Sequence, residues 1–481
     1  MFSVPHVRSL PVLLAVLLLP ACASVRPDAA ASMATVSGDW QAPLPAGVSA
    51  DNATASDLAA WWQQLNEPLL NQLIELTLAN NTDMASAVLS HRLALLQLGV
   101  ADADYLPSLR AGTGVSRSGS SDSMNNSANA SLSASWEIDL WGSMNSQQLA
   151  ASASVDQAAA QLRDARVSLV AQTATAYTSL RLAQQNVQVA QAAIELRQHS
   201  YELARSTWQA GLGTELALMQ ARTLLEQSRA SLPQYQQAAS AAINQLRVLA
   251  GGELDSVLPQ LQSTASLPAL PQQLVLTLPA ETLRQRPDVK ASEYALVVQG
   301  EAVVQAHNRR FPVLSLSGSL SNSGDNLSDV FSVDGLVRSI AATVSYSLFD
   351  SGVLKTNERT QQLKFEQALL SYRSSLLNAQ QEVEDALAAL VATQQQQVAY
   401  QQAEAAAELA GELAQLQYEA GLLGFDDLLD AQSDLLSARN NRVQNDGALL
   451  NDWIQLYRAA GGGWQATPSE LTDNQFPGTS S

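Results

Sequence analysis

The residues able to carry chemistry are few and scattered. Beyond the N-terminal segment, histidine occurs only at His91, His199 and His307, about a hundred residues apart. No pair has the H-x-x-x-H spacing that puts two imidazoles on one helix face around zinc. The single cysteine, Cys22, can pair with no other, so no disulfide framework exists. There is no G-x-S-x-G elbow, no P-loop and no G-x-G-x-x-G; Gly112-Thr113-Gly114 and Gly211-Leu212-Gly213 are too short to cradle a phosphate. Each histidine is therefore read as a helix-surface or interface residue, and the chain as a non-enzyme that needs no metal or soluble cofactor.

Two acidic residues have a spacing with consequences. Asp426 and Asp430 lie four apart, which puts them on one face of a helix. Asp427, beside them, suits the electropositive start of that helix. If Asp426 and Asp430 face an aqueous lumen, repetition of the chain around an axis turns them into two acidic rings, which favour cations and repel anions.

What positions them is an internal repeat. Shifted by 210 residues, Glu202-Leu203-Ala204 meets Glu412-Leu413-Ala414, Ala210-Gly211-Leu212 meets Ala420-Gly421-Leu422, and Gly251-Gly252 meets Gly461-Gly462. The same register pairs Trp136 with Tyr346. Upstream the offset is 205, pairing Asp83 with Asp288 and Pro107-x-Leu109 with Pro312-x-Leu314. The five-residue change falls between Pro107 and Trp136, where an exposed loop tolerates insertion. In this register Leu216 meets Asp426 and Gln220 meets Asp430, so only the second copy is acidic there.

Each copy reads as a first helix (69–104 and 279–309), a β-hairpin (108–141 and 313–349), a long proline-free helix to Ala210 or Ala420, and a return helix ending near Gly251 or Gly461. Leu132, Ala134, Trp136, Ile138 and Leu140 alternate strictly with Ser131, Ser133, Ser135, Glu137 and Asp139. Ile340, Ala342, Val344, Tyr346 and Leu348 alternate with Ala341, Thr343, Ser345 and Ser347. Such period-two alternation suits a membrane barrel strand, lipid on one face and water on the other. The spacing of Leu409, Leu413, Leu416 and Ala420 predicts a coiled-coil seam.

The N-terminus reads as a signal peptide (1–21): Arg8, then an apolar run Leu10–Leu19 too short to span a bilayer. Leu19-Pro20-Ala21-Cys22 resembles a lipobox, making Cys22 the expected lipidation site. The remaining segments are 22–68 (lipid-anchored N-terminal segment), 69–252 (first copy), 253–278 (proline-rich equatorial linker), 279–463 (second copy) and 464–481 (tail). No apolar run after Cys22 approaches 18 residues, so membrane crossing is expected by strands alone. A net charge of −19 speaks against nucleic acid as a partner. Four strands cannot close a wide barrel, so several chains must share one.

These features resemble the TolC/NodT-type outer-membrane efflux lipoproteins over nearly the whole mature chain. Arg286-Pro287-Asp288 resembles the family's Arg-Pro-Asp signature, and Arg310-Phe311-Pro312 its helix-to-strand junction. Tyr418-x-x-Gly421-Leu422 followed by Leu428-Leu429-Asp430-Ala431-Gln432 resembles its helix-tip motif. The resemblance implies a mainly α fold with a membrane hairpin per repeat. It implies a homotrimer whose twelve-stranded β-barrel continues into a periplasmic α-helical barrel. It implies a passive duct of an RND-type tripartite system, with a periplasmic adaptor and an inner-membrane pump as partners. The tips at Gly211, Leu212, Gly421 and Leu422 would dock the adaptor, and Asp426 and Asp430 would form the periplasmic gate. Protein secretion through the same architecture, or a non-conducting periplasmic scaffold, are the alternative readings.

Overall fold

The computed structural model describes residues 42–43, 48–49, 59–120, 123–271, 274–275, 283–325, 330, 332 and 335–463. The expected signal peptide, Cys22 and the tail 464–481 lie outside the described residues. The chain divides into two compact units, one containing 94–155 and 294–371, the other 34–93, 156–293 and 372–481.

In chain order the principal elements are α1 (Pro68–Asn80), α2 (Thr82–Ala103), β1 (Ser108–Ser120), β2 (Ser123–Ile138), α3 (Ser143–Gln209) and α4 (Glu215–Leu249). The second copy gives α5 (Pro287–Asn308), β3 (Val313–Gly324), β4 (Val337–Ser345), α6 (Val353–Glu419) and α7 (Phe425–Ala459). Both long helices have 67 residues and both return helices have 35.

Glycines end the helices by one device used four times. Gly211, Gly251, Gly421 and Gly461 all have φ between 64° and 74°, the left-handed region open to a residue without Cβ. At each, the glycine N–H bonds back three residues and the next N–H bonds back five, as in Leu212 N to Thr207 O (3.0 Å) and Leu422 N to Gln417 O (2.8 Å). This Schellman pattern satisfies carbonyls the helix would otherwise orphan.

The first unit carries an antiparallel sheet of order β1-β2-β3-β4. Its register sorts the residues into two faces. One row joins Arg110, Ser133, Ser319 and Ser339, and another joins Ser108, Ser135, Ser317 and Ala341. The opposite face carries Leu109, Ala134, Gly318 and Ile340 in one row, and Ala111, Leu132, Leu320 and Arg338 in the next. On the apolar face Ile340 is 92% exposed and Val344 67%. Serines on the other face bond across strands, Ser108 Oγ to Ser135 Oγ at 2.8 Å and Ser319 Oγ to Ser339 Oγ at 2.7 Å.

The second unit is helical, with its largest buried side chains around Trp61. That ring stacks on Tyr457 (centroids 5.5 Å apart) and meets Trp453 edge-on at 5.3 Å. Tyr177 donates to Glu67 Oε2 (3.0 Å) and accepts from Arg181 Nε (3.1 Å); burial pushes its phenol up to about 12. Arg181 in turn donates to Ser263 O, and Gln184 to Leu261 O, fastening the linker after α4 to α3.

Four sequence expectations need correction. The first helix is two, because Asn81 interrupts it: its Oδ1 accepts from Asp83 N and Met84 N, capping α2, while its Nδ2 donates to Leu249 O. In the second copy residues 279–282 of the expected helix lie outside the described residues; Leu283 is helical, a turn interrupts over 284–286, and α5 begins at Pro287, whose ring lacks the N–H that a helix interior needs. The last strand stops at Ser345, short of Tyr346 and Leu348. Finally, one helix after Cys22, Thr82–Ala103, is long and apolar enough by length and composition to cross a membrane. Its apolar residues form a stripe, however. Leu89, Leu93, Leu96 and Val100 recur at four, three and four and are 58–64% exposed, the pattern of a helix-pairing seam.

Candidate functional site: the helix tips and the two-faced sheet

The tips form where α3 turns into α4 and α6 into α7. Gly211 and Gly421 make the two reversals, and an added Cβ at either would meet nothing within 4 Å. Leu212 and Leu422 follow and project outward, 83% and 78% exposed. Four residues expected to dock a partner are thus placed in two matching turns, with their apolar side chains bare.

Beyond the turns the copies differ. In the first, Thr214 caps α4 by accepting from Ala217 N at 3.2 Å. In the second, the cap position is Gly424, without a side-chain bond, and Asp426 and Asp427 occupy the first turn of α7. Asp427 folds back over Gly424, its Oδ2 lying 3.1 Å from where a Cβ would stand. In the first turn of α7 the Asp427 carboxylate suits the helix dipole. Asp426 and Asp430 are both exposed, four apart on α7, while Leu428 and Leu429 between them are buried. The tips are packed together by Phe425, which with Tyr201 lies against the cluster of Ala204, Leu218 and Ala221 and contacts Tyr418 ring to ring at 5.5 Å.

A buried polar group behind Asp430 escaped the sequence reading. Arg197 of α3, only 4% exposed, donates to Ser433 Oγ (2.7 Å), Gln432 Oε1 (3.3 Å) and Leu429 O (3.4 Å), and Ser200 Oγ bonds Gln432 Oε1 at 2.9 Å. Burial lowers the guanidinium's affinity for its proton. Arg197 has a repeat mate, Ala407, that cannot make these bonds; this was the signal available in the sequence.

The histidines sit apart from the tips. His199 is exposed and His91 half-buried. His307 Nδ1 lies 2.9 Å from Glu358 Oε1, and Arg310 Nη1 donates to Glu358 Oε2 at 2.6 Å. Phe311 stacks on Trp141, whose Nε1 donates to Pro312 O. This is the helix-to-strand junction of the second copy, an interface cluster with no reacting geometry.

The profile of the outer membrane efflux protein family matches twice, over residues 73–252 and 278–462. The chain belongs to the outer membrane efflux protein family. Its two matched segments are the two copies of the repeat. Similar curated proteins include the pyoverdine export outer membrane protein OpmQ of Pseudomonas aeruginosa, 28% identical with 95% of this chain and 98% of that protein covered. Nodulation protein T of Rhizobium leguminosarum bv. trifolii is 26% identical, covering 72% of this chain and 76% of that protein. Among solved structures, the outer-membrane channel OprN superposes with a TM-score of 0.79 at 29% identity, over 92% of this chain and 98% of that one. CmeC of Campylobacter jejuni, at 23% identity and a TM-score of 0.82, shares the fold. The chain is an outer-membrane efflux channel with a TolC-like fold, its strands the membrane portion and its helices periplasmic. Members of this family are channels rather than enzymes, so the scarcity of catalytic groups has its explanation.

Proposed function

We propose that three copies of this chain form the passive outer-membrane duct of an RND-type tripartite efflux system, fed by a periplasmic adaptor and an inner-membrane pump. The observation that carries the oligomer is the open sheet. The outer edges of β1 and β4 have no partner strand among the described residues. In hydrocarbon each unpaired backbone group costs several kcal/mol, so the edges must join those of other copies. Three copies of four strands close a twelve-stranded barrel with the apolar face outward and the serine face toward water.

The tips at Gly211, Leu212, Gly421 and Leu422 are the adaptor's docking points, since bare leucines on rigid turns suit an apolar contact. Asp426 and Asp430 repeat around the axis as the acidic periplasmic gate. Cys22 carries the lipid that anchors the chain. Small-molecule export is favoured over protein secretion because OpmQ is named for pyoverdine export and CusC for cation efflux.

Planar-bilayer recording of the purified protein, with its mass measured in native conditions, tests the reading. A trimer that conducts, with cation preference reduced by Asp426→Ala plus Asp430→Ala, is expected. A stable monomer, or a trimer without conductance, overturns the duct. Unchanged conductance and selectivity in the double variant overturns the gate alone.

A further inference from the structure

The serine face of the sheet is almost free of charge. Around Arg110 the strand register places Ser108 and Gly112 on the same strand and Ser131, Ser133 and Ser135 on the neighbouring one, none of them ionisable. Arg110 is exposed and forms no ion pair or hydrogen bond among the described residues. The nearest carboxylate on this face is Glu137, four positions along β2 from Ser133, about 13 Å at the usual strand rise. Within the chain the guanidinium has no partner, and the edge strand that the closed barrel would bring beside it from the next copy, Val337–Ser345, carries no carboxylate.

Its side of the sheet is fixed by alternation. Leu109 and Ala111 flank it and belong to the face of Leu132, Leu320, Ile340 and Val344. Arg338 shares the apolar face with Leu320, so charge alone assigns no side; the alternation along β1, which puts Leu109 and Ala111 on that face, puts Arg110 on the other. Arg110 therefore belongs to the lumen.

We propose that Arg110 is a specificity-determining residue of the barrel: repeated by symmetry, it forms a cationic ring that draws anionic groups of the cargo, carboxylates or sulfonates, through the serine-lined lumen. This rests on the closed-barrel reading above. The serines matter to it, because hydroxyls neither neutralise the ring nor bind cargo tightly enough to trap it. A conduit needs binding that is favourable at entry yet weak enough to release. The ring acts through its field and is screened by salt, with a Debye length of about 10 Å at 0.1 M and 3 Å at 1 M.

The test has two arms. In bilayers at about 0.1 M salt, Arg110→Gln is expected to raise the cation-to-anion permeability ratio by a factor of about two or more, with Arg110→Lys restoring the wild-type ratio and the difference fading near 1 M. In intact cells, Ser133→Cys reports on the ring's neighbour through membrane-impermeant thiol reagents. The anionic reagent should gain on the cationic one when Arg110 is present and lose that gain in the Arg110→Gln background. Leu109→Cys, on the apolar face, should stay unlabelled. Labelling at both 109 and 133, or at 109 alone, overturns the assigned sidedness. Luminal labelling at 133 with unchanged reagent preference and permeability ratio overturns the ring while leaving the duct intact. A wild-type trimer without conductance overturns the duct and the ring with it.

Discussion

Asn81 and Arg286 grip the same carbonyl in the two copies of the repeat. Asn81 Nδ2 donates to Leu249 O at 3.0 Å, and Arg286 Nη1 donates to Ala459 O at 2.7 Å. The two grips coincide under the repeat, at offsets of 205 and 210. Each ties the start of a first-helix segment to the end of a return helix. The second copy makes the tie ionic: Arg286 also bonds Asp288 at 2.8 Å and Glu382 at 2.7 Å. Burial would lower its pKa, but the two carboxylates outweigh this and hold the guanidinium charged.

Replacing these residues should therefore not be equivalent. Removing one partner of a buried pair typically costs about 3–5 kcal/mol, and the half-exposed Glu382 puts Arg286→Ala near the lower end, about 3 kcal/mol. Asn81→Ala loses neutral bonds and a helix cap, about 1–2 kcal/mol. Thermal denaturation of the purified protein checks the order. Equal melting shifts would show that the charge adds nothing to the grip.

Much of this could be read from the sequence, because repeats and period-two alternation are local patterns imposed by geometry. The glycine turns, the hairpins and the asymmetry at Asp426 and Asp430 all rest on such patterns. Arg197 was not read, because its partners lie more than 230 residues away and its meaning depends on packing between α3 and α7. The break at Asn81 has a local sign, an asparagine able to cap the helix that follows, whereas its second bond, to Leu249 O, reaches 168 residues along the chain. Alternation carries the strand pattern on to Leu348, beyond the point where the hydrogen-bonded ladder ends at Ser345.

Glu358 gives the second copy a pH-dependent junction. Burial would raise its carboxyl, yet the hydrogen bonds and charges of His307 and Arg310 hold it below the ordinary glutamate value. A depressed folded pKa contributes stability that is fully present above the unfolded value, about 4.3, and is lost as pH falls through the folded value. Glu358→Gln should thus melt earlier than wild type near neutral pH, with the gap closing as the medium is acidified below about pH 4. A gap of constant size across the titration would remove Glu358 as its source.

The glycine turns should respond unequally to alanine. At Gly421 a Cβ meets nothing within 4 Å, so only the left-handed backbone resists, about 1–2 kcal/mol. At Gly251 the same Cβ would stand 2.2 Å from Asn80 O, a backbone atom that cannot swing aside. Gly421→Ala should fold and assemble, with any defect confined to adaptor capture in a pull-down. Gly251→Ala should lower the yield of folded protein sharply. A well-assembled Gly251→Ala trimer with wild-type melting would contradict the close approach.

The leucine seam on α6 is the last point at which chain and assembly separate. Leu409, Leu413 and Leu416 were expected to pair, yet they are 57%, 48% and 62% exposed. The contact with α7 uses other positions: Ala414 is buried, and a Cβ at Gly411 would lie 3.6 Å from Leu435 Cδ2. The seam is therefore spare within one chain and available to a neighbouring copy. Burying a leucine side chain is worth about 1.5–3 kcal/mol, so in the proposed trimer a seam packed against the next copy would add to the cohesion of the helices. Replacing Leu409, Leu413 and Leu416 together by serine should leave helix content by circular dichroism unchanged and shift native mass spectra toward monomer. Leu435→Ala, by contrast, opens a cavity inside the chain and should lower its melting temperature by removing about 2–5 kcal/mol. If the triple serine variant stays fully trimeric, the seam faces solvent and the trimer is held elsewhere.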